Sequence, residues 1–159
     1  MVLTRRAKAL RHHRGEVSFP GGRLDYGETP AQCALREADE EVGLDPRTVE
    51  VAGQLSTLLT FSSQTLVTPV VGFLAGRPVL NPSPQEVDRV FDVALRDLVQ
   101  DDVFREERWD ARLPESAMRR LDASDDGTFP VWFFELPGDT VWGATARVLV
   151  ELLRAILLH

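Results

Sequence analysis

Four of the five residues from Glu37 to Glu41 are acidic, and they fall inside a segment that local signals mark as a helix. Thr29 suits the N-cap and Pro30 the first helical position, while Gln32, three residues after the cap, completes a capping box. Ala31, Ala34, Leu35, Ala38 and Val42 recur at helical spacing as an apolar stripe, and Gly43 supplies a stop. Glu37, Glu40 and Glu41 then share a sector of about 100°, with Asp39 nearly opposite. This pattern lays the stripe on a core and turns the acidic face away from it. Three carboxylates so crowded repel one another, and a divalent cation relieves the repulsion. Hard oxygen donors suit Mg²⁺ or Mn²⁺, which keep waters and complete their shells with substrate phosphate. Metal-assisted phosphate chemistry is the expectation.

Length and charge narrow the setting. A chain of 159 residues reads as one domain, residues 1–159, with a core that needs no disulfide staples. Its formal charge of −7 argues against broad nucleic-acid binding. Cys33 is the single cysteine, which fits a reducing cytoplasm. The nearest approach to a membrane span, Val141 to Leu158, is interrupted on one helical face by Arg147, Glu151 and Arg154, so an amphipathic helix is expected there. Arg5, Arg6, Lys8, Arg11 and Arg14 make the N-terminal stretch basic and acid-free. A transit peptide has that composition, but this stretch runs into Val17-Ser18-Phe19-Pro20 without a polar spacer.

Strands are predicted at Val2–Thr4, Glu16–Phe19, Val49–Leu59, Leu66–Leu74, Glu86–Val93 and Thr128–Leu136. Asn81-Pro82-Ser83-Pro84 reads as a loop and Ala94–Val99 as a short helix. Asp101–Asp126 is irregular, with a helical piece at Pro114–Leu121. Pro137-Gly138-Asp139 leads into the final helix. Strands interleaved with helices, without regular βαβ spacing, favour a mixed α/β sandwich.

The segment Gly22-x5-Glu28-x7-Arg36-Glu37-x2-Glu40-Glu41-x-Gly43-Leu44 resembles the Nudix box, the signature of hydrolases acting on nucleoside diphosphates linked to another group. Upstream, Leu3-Thr4, Arg6-Ala7, Arg11, Gly15 and Phe19-Pro20-Gly21-Gly22 resemble the motif of the coenzyme A pyrophosphatase branch. Val141-Trp142-Gly143-Ala144-Thr145-Ala146 resembles that branch's last helix. The resemblance implies an α/β/α sandwich with a mixed sheet, here short of the family's usual N-terminal strand. A sheet edge exposed by that shortage would favour pairing with another chain, as in a homodimer.

The implied reaction is hydrolysis of coenzyme A or its derivatives to 3′,5′-ADP and 4′-phosphopantetheine. By resemblance Glu37, Glu40 and Glu41 bind Mg²⁺ or Mn²⁺ with a backbone oxygen near Gly22, and Arg36 pairs with Glu28. Glu86 is an additional metal ligand or general base, or else an exposed loop glutamate. Arg6 and Arg11 suit the phosphates of the substrate, with Gly21 and Gly22 letting main chain approach it. His12 and His13 read as surface residues, Cys33 as small-residue packing, and Trp132, Phe133 and Phe134 as core. Two alternatives stay open: a Nudix pyrophosphatase of other nucleotides such as NADH or nucleoside triphosphates, and a non-catalytic nucleotide-binding domain.

Overall fold

The computed structural model describes residues 1–9, 14–60, 65–110, 124 and 126–158. The fold is of the expected α/β class, with two α-helices among the strands of the described residues. The chain divides into two compact units, Met1–Leu55 with Thr68–Ala94, and Ser56–Val67 with Leu95–His159.

In the first unit β1 (Val2–Arg6) is the middle strand of three, antiparallel to β2 (Val17–Ser18) and to β7 (Val87–Asp92). Leu3 and Thr4 are covered on both sides, and the Thr4 hydroxyl donates to the Ser18 carbonyl at 3.1 Å. The β1–β7 ladder slips at its end: Arg5 pairs with Arg89 but Arg6 with Val87. The extra residue is Asp88 on β7, and a bulge of this kind bends the strand that holds it.

Helix α1 (Pro30–Val42) forms where its caps place it. Thr29 is extended, its hydroxyl accepts the Gln32 N–H, and the Gln32 side chain accepts the Thr29 N–H at 2.9 Å. Gly43 ends the helix at φ 66°, a left-handed conformation that favours glycine. Cys33, Ala38 and Val42 are buried, and the helix lies against β7 and β6 (Val70–Leu74). Strand β3 (Val49–Gln54) pairs antiparallel with β6.

The two long strands predicted at Val49–Leu59 and Leu66–Leu74 are each interrupted. Beyond the break lie β4 (Leu58–Leu59) and β5 (Leu66–Val67), paired with each other in the second unit. Pro69 explains one break, because it has no N–H for a ladder. Its carbonyl still accepts the Leu55 N–H at 3.0 Å.

The second unit is built on a meander of β8 (Phe104–Asp110), β9 (Thr128–Leu136) and β10 (Asp139–Trp142), with α2 (Gly143–Leu157) packed on β9 and β10. Phe134, Val141, Ala146 and Leu149 are fully buried at its centre. Two sequence expectations are corrected here. The final helix starts at Gly143, not at Val141, because Pro137-Gly138 forms a two-residue turn that returns the chain as β10. Gly138 takes φ 82° there, and burial alternates along β10 as strand geometry requires. Phe104–Asp110, expected to be irregular, is a strand. Its sequence is charged because it is a sheet edge, a common way to protect unpaired backbone. Leu95–Val99 forms the short helix expected near it, as a 3₁₀ turn. The helical piece predicted at 114–121 lies outside the described residues. Among the described residues no helix is long and apolar enough to cross a membrane.

Candidate functional site

Two carboxylate groups meet on α1, and Glu37 belongs to both. The first gathers around Arg36. Its Nε and Nη2 donate to the two oxygens of Glu28 at 2.9 and 3.0 Å, and Nη2 also donates to the Arg23 carbonyl at 3.0 Å. Nη1 donates to Glu37 at 2.9 Å and to Glu40 at 3.1 Å. The guanidinium therefore ties the loop before the helix to the helix itself. Hydrogen bonding from Arg36, helped by the Asp25 N–H, lowers the Glu28 carboxyl to about 2, and Glu28 and Glu37 raise Arg36 in return. Cys33, one turn back, is buried and accepts from Arg36 at 3.6 Å. Burial raises its thiol, so this cysteine packs in its neutral form.

The second group centres on Glu41, and here the structure corrects the expectation that all three glutamates face away from the core. Glu40 points outward, but Glu41 is only 4% exposed. It follows Ala38 by three residues and precedes Val42, both buried, so it lies on the border between the apolar stripe and the acidic face. The Gly21 N–H donates to its Oε2 at 3.1 Å, and Arg6 Nη1 stands 3.7 Å from its Oε1. Burial raises the pKa of Glu41, opposed by Gly21 and Arg6, while the charges of Glu86 and Glu37 push it further up.

Backbone hydrogen bonds bring these residues together. The N–H groups of Asn81 and Ser83 donate to the Val42 and Glu41 carbonyls at 2.8 and 2.9 Å, closing helix carbonyls that have no partner within the helix. The same loop runs on to Glu86, whose carbonyl accepts the Ala7 N–H at 2.9 Å. Glu86 is exposed, yet anchored next to Arg6 through the Ala7 N–H. The glycines serve the other side: a Cβ on Gly22 would coincide with the Glu37 carboxylate.

The donors fit a hard divalent cation. Glu37 and Glu41 offer carboxylate oxygens, and the bare Cα of Gly22 lets main chain come against one of them. Among the described residues, however, no three His, Cys, Asp or Glu side chains are gathered as a group that could hold a metal ion. Arg36 engages both Glu37 and Glu40 as an internal counter-ion.

Of the residues singled out from sequence, Glu37, Glu41, Glu86, Gly21, Gly22 and Arg6 come together, and Glu40 joins through Arg36. Arg11, His12 and His13 lie outside the described residues. Trp132 and Phe134 are core residues as expected. Phe133 instead lies half-exposed between Trp142 and the guanidinium of Arg105, 4.1 Å above its ring. Sequence reading missed the partnership of Arg6 with Glu41 and the role of the Asn81–Ser83 loop. Neither has a local signal, because each joins residues 35 to 42 positions apart.

Comparison with known proteins places this geometry. The NUDIX domain profile matches residues 1–119. The chain is similar to Nudix hydrolase 3 of Caenorhabditis elegans, with 41% identity over 103 residues, 63% of this chain and 43% of that protein. An uncharacterized Nudix hydrolase NudL of Photorhabdus laumondii is 35% identical over 158 residues, 98% of this chain and 76% of the relative. Nudix hydrolase 22, chloroplastic, of Arabidopsis thaliana is 36% identical over 156 residues, 95% of this chain and 48% of the relative. The chain thus spans about half the length of two of these relatives and three quarters of the third. A MutT/nudix family protein from Enterococcus faecalis shares the fold at TM-score 0.55 and 14% identity, over 98% of this chain and 54% of that one.

Proposed function

The chain belongs to the Nudix hydrolase family, and from that premise we propose a divalent-metal-dependent pyrophosphatase that cleaves a nucleotide diphosphate, with residues 1–159 acting as one domain. The observation that carries this reading is the buried Glu41 carboxylate, held by the Gly21 N–H among the charges of Glu37 and Glu86. A buried carboxylate that feels the charges of two others is favoured by a cation beside it.

Glu37, Glu40 and Glu41 would hold the ion, with main chain at Gly22 beside them. When bound, the ion neutralises the diphosphate and lowers the pKa of an attacking water. The residues themselves do the rest. Glu41 is fixed in place by its burial and by Gly21. Arg36 holds the loop from Arg23 to Glu28 against the helix, so that the glycines keep their approach. Glu86, exposed and close enough to act on Glu41, is the group proposed to take the proton of the attacking water on a carboxylate oxygen.

The narrower substrate, coenzyme A, is supported by the motif running from Leu3 to Gly22. The broader reading, a pyrophosphatase of nucleotide substrates such as NADH or nucleoside triphosphates, has the better support, because the matched family and the similar proteins reach only to Nudix hydrolases in general. A substrate panel with Mg²⁺ and chromatographic separation of products tests both. Release of 3′,5′-ADP from coenzyme A well above the rates on the other nucleotides supports the narrow reading. Equal rates on coenzyme A and its 3′-dephospho form remove the role of the 3′-phosphate. Nucleotide binding without any hydrolysis would leave a non-catalytic domain.

A further inference from the structure

Arg6 occupies a position that substrate recognition alone does not explain. Its backbone is fixed on both sides: its N–H donates to the Glu16 carbonyl at 3.0 Å, and its carbonyl accepts the Gly15 N–H at 3.1 Å. The next residue, Ala7, is tied to Glu86. From there the side chain reaches the last turn of α1, where Nη1 lies 3.7 Å from the Glu41 carboxylate. That distance is too long for a hydrogen bond and lies near the outer limit of an ion pair. Meanwhile the Nε of Arg6 is buried and has no hydrogen-bond partner among the described residues, which is unfavourable. A guanidinium kept there despite an unsatisfied donor is kept for its charge, and Glu41 is the carboxylate that requires it. Arginine cannot relieve the situation by losing its proton.

We infer that Arg6 is the resident counter-cation of Glu41, holding the buried carboxylate in the metal-free protein and competing with a divalent ion for it. Arg6 is thus a positioning residue that acts through Glu41. The inference rests on the reading of Glu41 as a metal ligand. It makes metal loading an exchange in which one cation gives way to another, at the carboxylate least able to remain unpaired.

The exchange predicts an effect opposite in sign to that of losing a binding residue. Arg6→Gln removes a positive charge from beside the ion, so Mn²⁺ should bind more tightly by roughly five- to tenfold. The metal-free protein should lose stability, with Tm lower by about 3–6 °C, because Glu41 is left buried with the Gly21 N–H but without its counter-charge. Arg6→Lys keeps the charge and should bind Mn²⁺ within about twofold of the parent. Binding is measured without substrate, by the paramagnetic resonance signal of free Mn²⁺. Unchanged affinity in Arg6→Gln would make Arg6 a substrate contact and overturn the inference, and weaker affinity would overturn it equally. A parent that binds no Mn²⁺ overturns the metal-ligand reading as well, so the two failures are distinct. Should Arg6→Gln not fold, the parent itself decides. Mg²⁺ titration should move the Arg6 Nε–H resonance, identified by its absence in Arg6→Lys, and leave it unmoved in Glu41→Gln. A resonance that stays still in the parent while Mg²⁺ binds elsewhere sinks the proposal.

Discussion

Arg36 grips Glu28 with two parallel hydrogen bonds, Nε to Oε1 at 2.9 Å and Nη2 to Oε2 at 3.0 Å, across eight residues of chain. A forked pair of this kind fixes orientation as well as charge. Because the same guanidinium reaches Glu37 and Glu40, the loop and the acidic helix face are held as one piece. The pair also makes stability depend on acid. The folded-state carboxyl of Glu28 lies at about 2, well below its ordinary 4.5. A depressed carboxyl contributes stability above its unfolded value and loses it as pH falls through the folded one. The difference in Tm between parent and Glu28→Gln should therefore be full near neutrality, shrink below about pH 4.5 and vanish near pH 2. A difference independent of pH across that window would show that the pair adds nothing through charge.

Gly22→Ala tests the close approach of the loop to Glu37. The added methyl coincides with a carboxylate at the end of a flexible side chain, so Glu37 can swing aside while the fold survives. Tm should stay within about 2 °C of the parent, an ordinary surface-scale change. Activity should fall by about a hundredfold, the scale of a misplaced catalytic group. Full activity in this variant would remove Glu37 from the site.

Glu37→Gln and Glu41→Gln should each abolish turnover without unfolding the protein. Both relieve repulsion among neighbouring carboxylates, and Glu41→Gln also removes a charge that burial opposes. Saturating Mg²⁺ should raise the parent Tm by several degrees, since a ligand at one hundred times its Kd adds about 2.7 kcal/mol. The rise should be much smaller in either variant. Differential scanning fluorimetry with and without Mg²⁺ reads both effects, and equal rises in all three proteins would dismiss the ligand assignment.

These expectations separate what is written locally from what is not. Helix α1 was readable because Thr29, Pro30, Gln32 and Gly43 all act within one or two turns of themselves. The same is true of the carboxylate spacing. The burial of Glu41 was not readable, because a residue at the edge of an apolar stripe goes in or out according to what packs on it. The Gly21 N–H and Arg6 decide that, and both come from other elements. Strand β8 was hidden for a related reason. Its Arg105 pairs with Glu107 on its own strand and with Glu135 on β9, so its charges serve an edge that only the ladder defines. Strand β10 was masked by the helix beyond it, whose apolar residues begin one step after Trp142.

Gly43 joins the helix end to the proposed base, and Gly43→Ala should expose that link. The residue sits at φ 66°, where an alanine is strained by about 1–2 kcal/mol. Its methyl would also stand 3.2 Å from the Asn81 carbonyl and 3.3 Å from its nitrogen, backbone atoms that can yield only if the loop shifts. That loop closes α1 through Asn81 and Ser83 and then carries Glu86 to β1. Strain at Gly43 is therefore passed to Glu86 without touching Glu37 or Gly22. Tm should drop by about 3–8 °C. In addition kcat should fall while Mn²⁺ affinity holds within about threefold, since the carboxylates of α1 stay in place. Loss of Mn²⁺ binding in step with kcat would mean that the loop supports the helix carboxylates themselves, and Glu86 would lose its separate role.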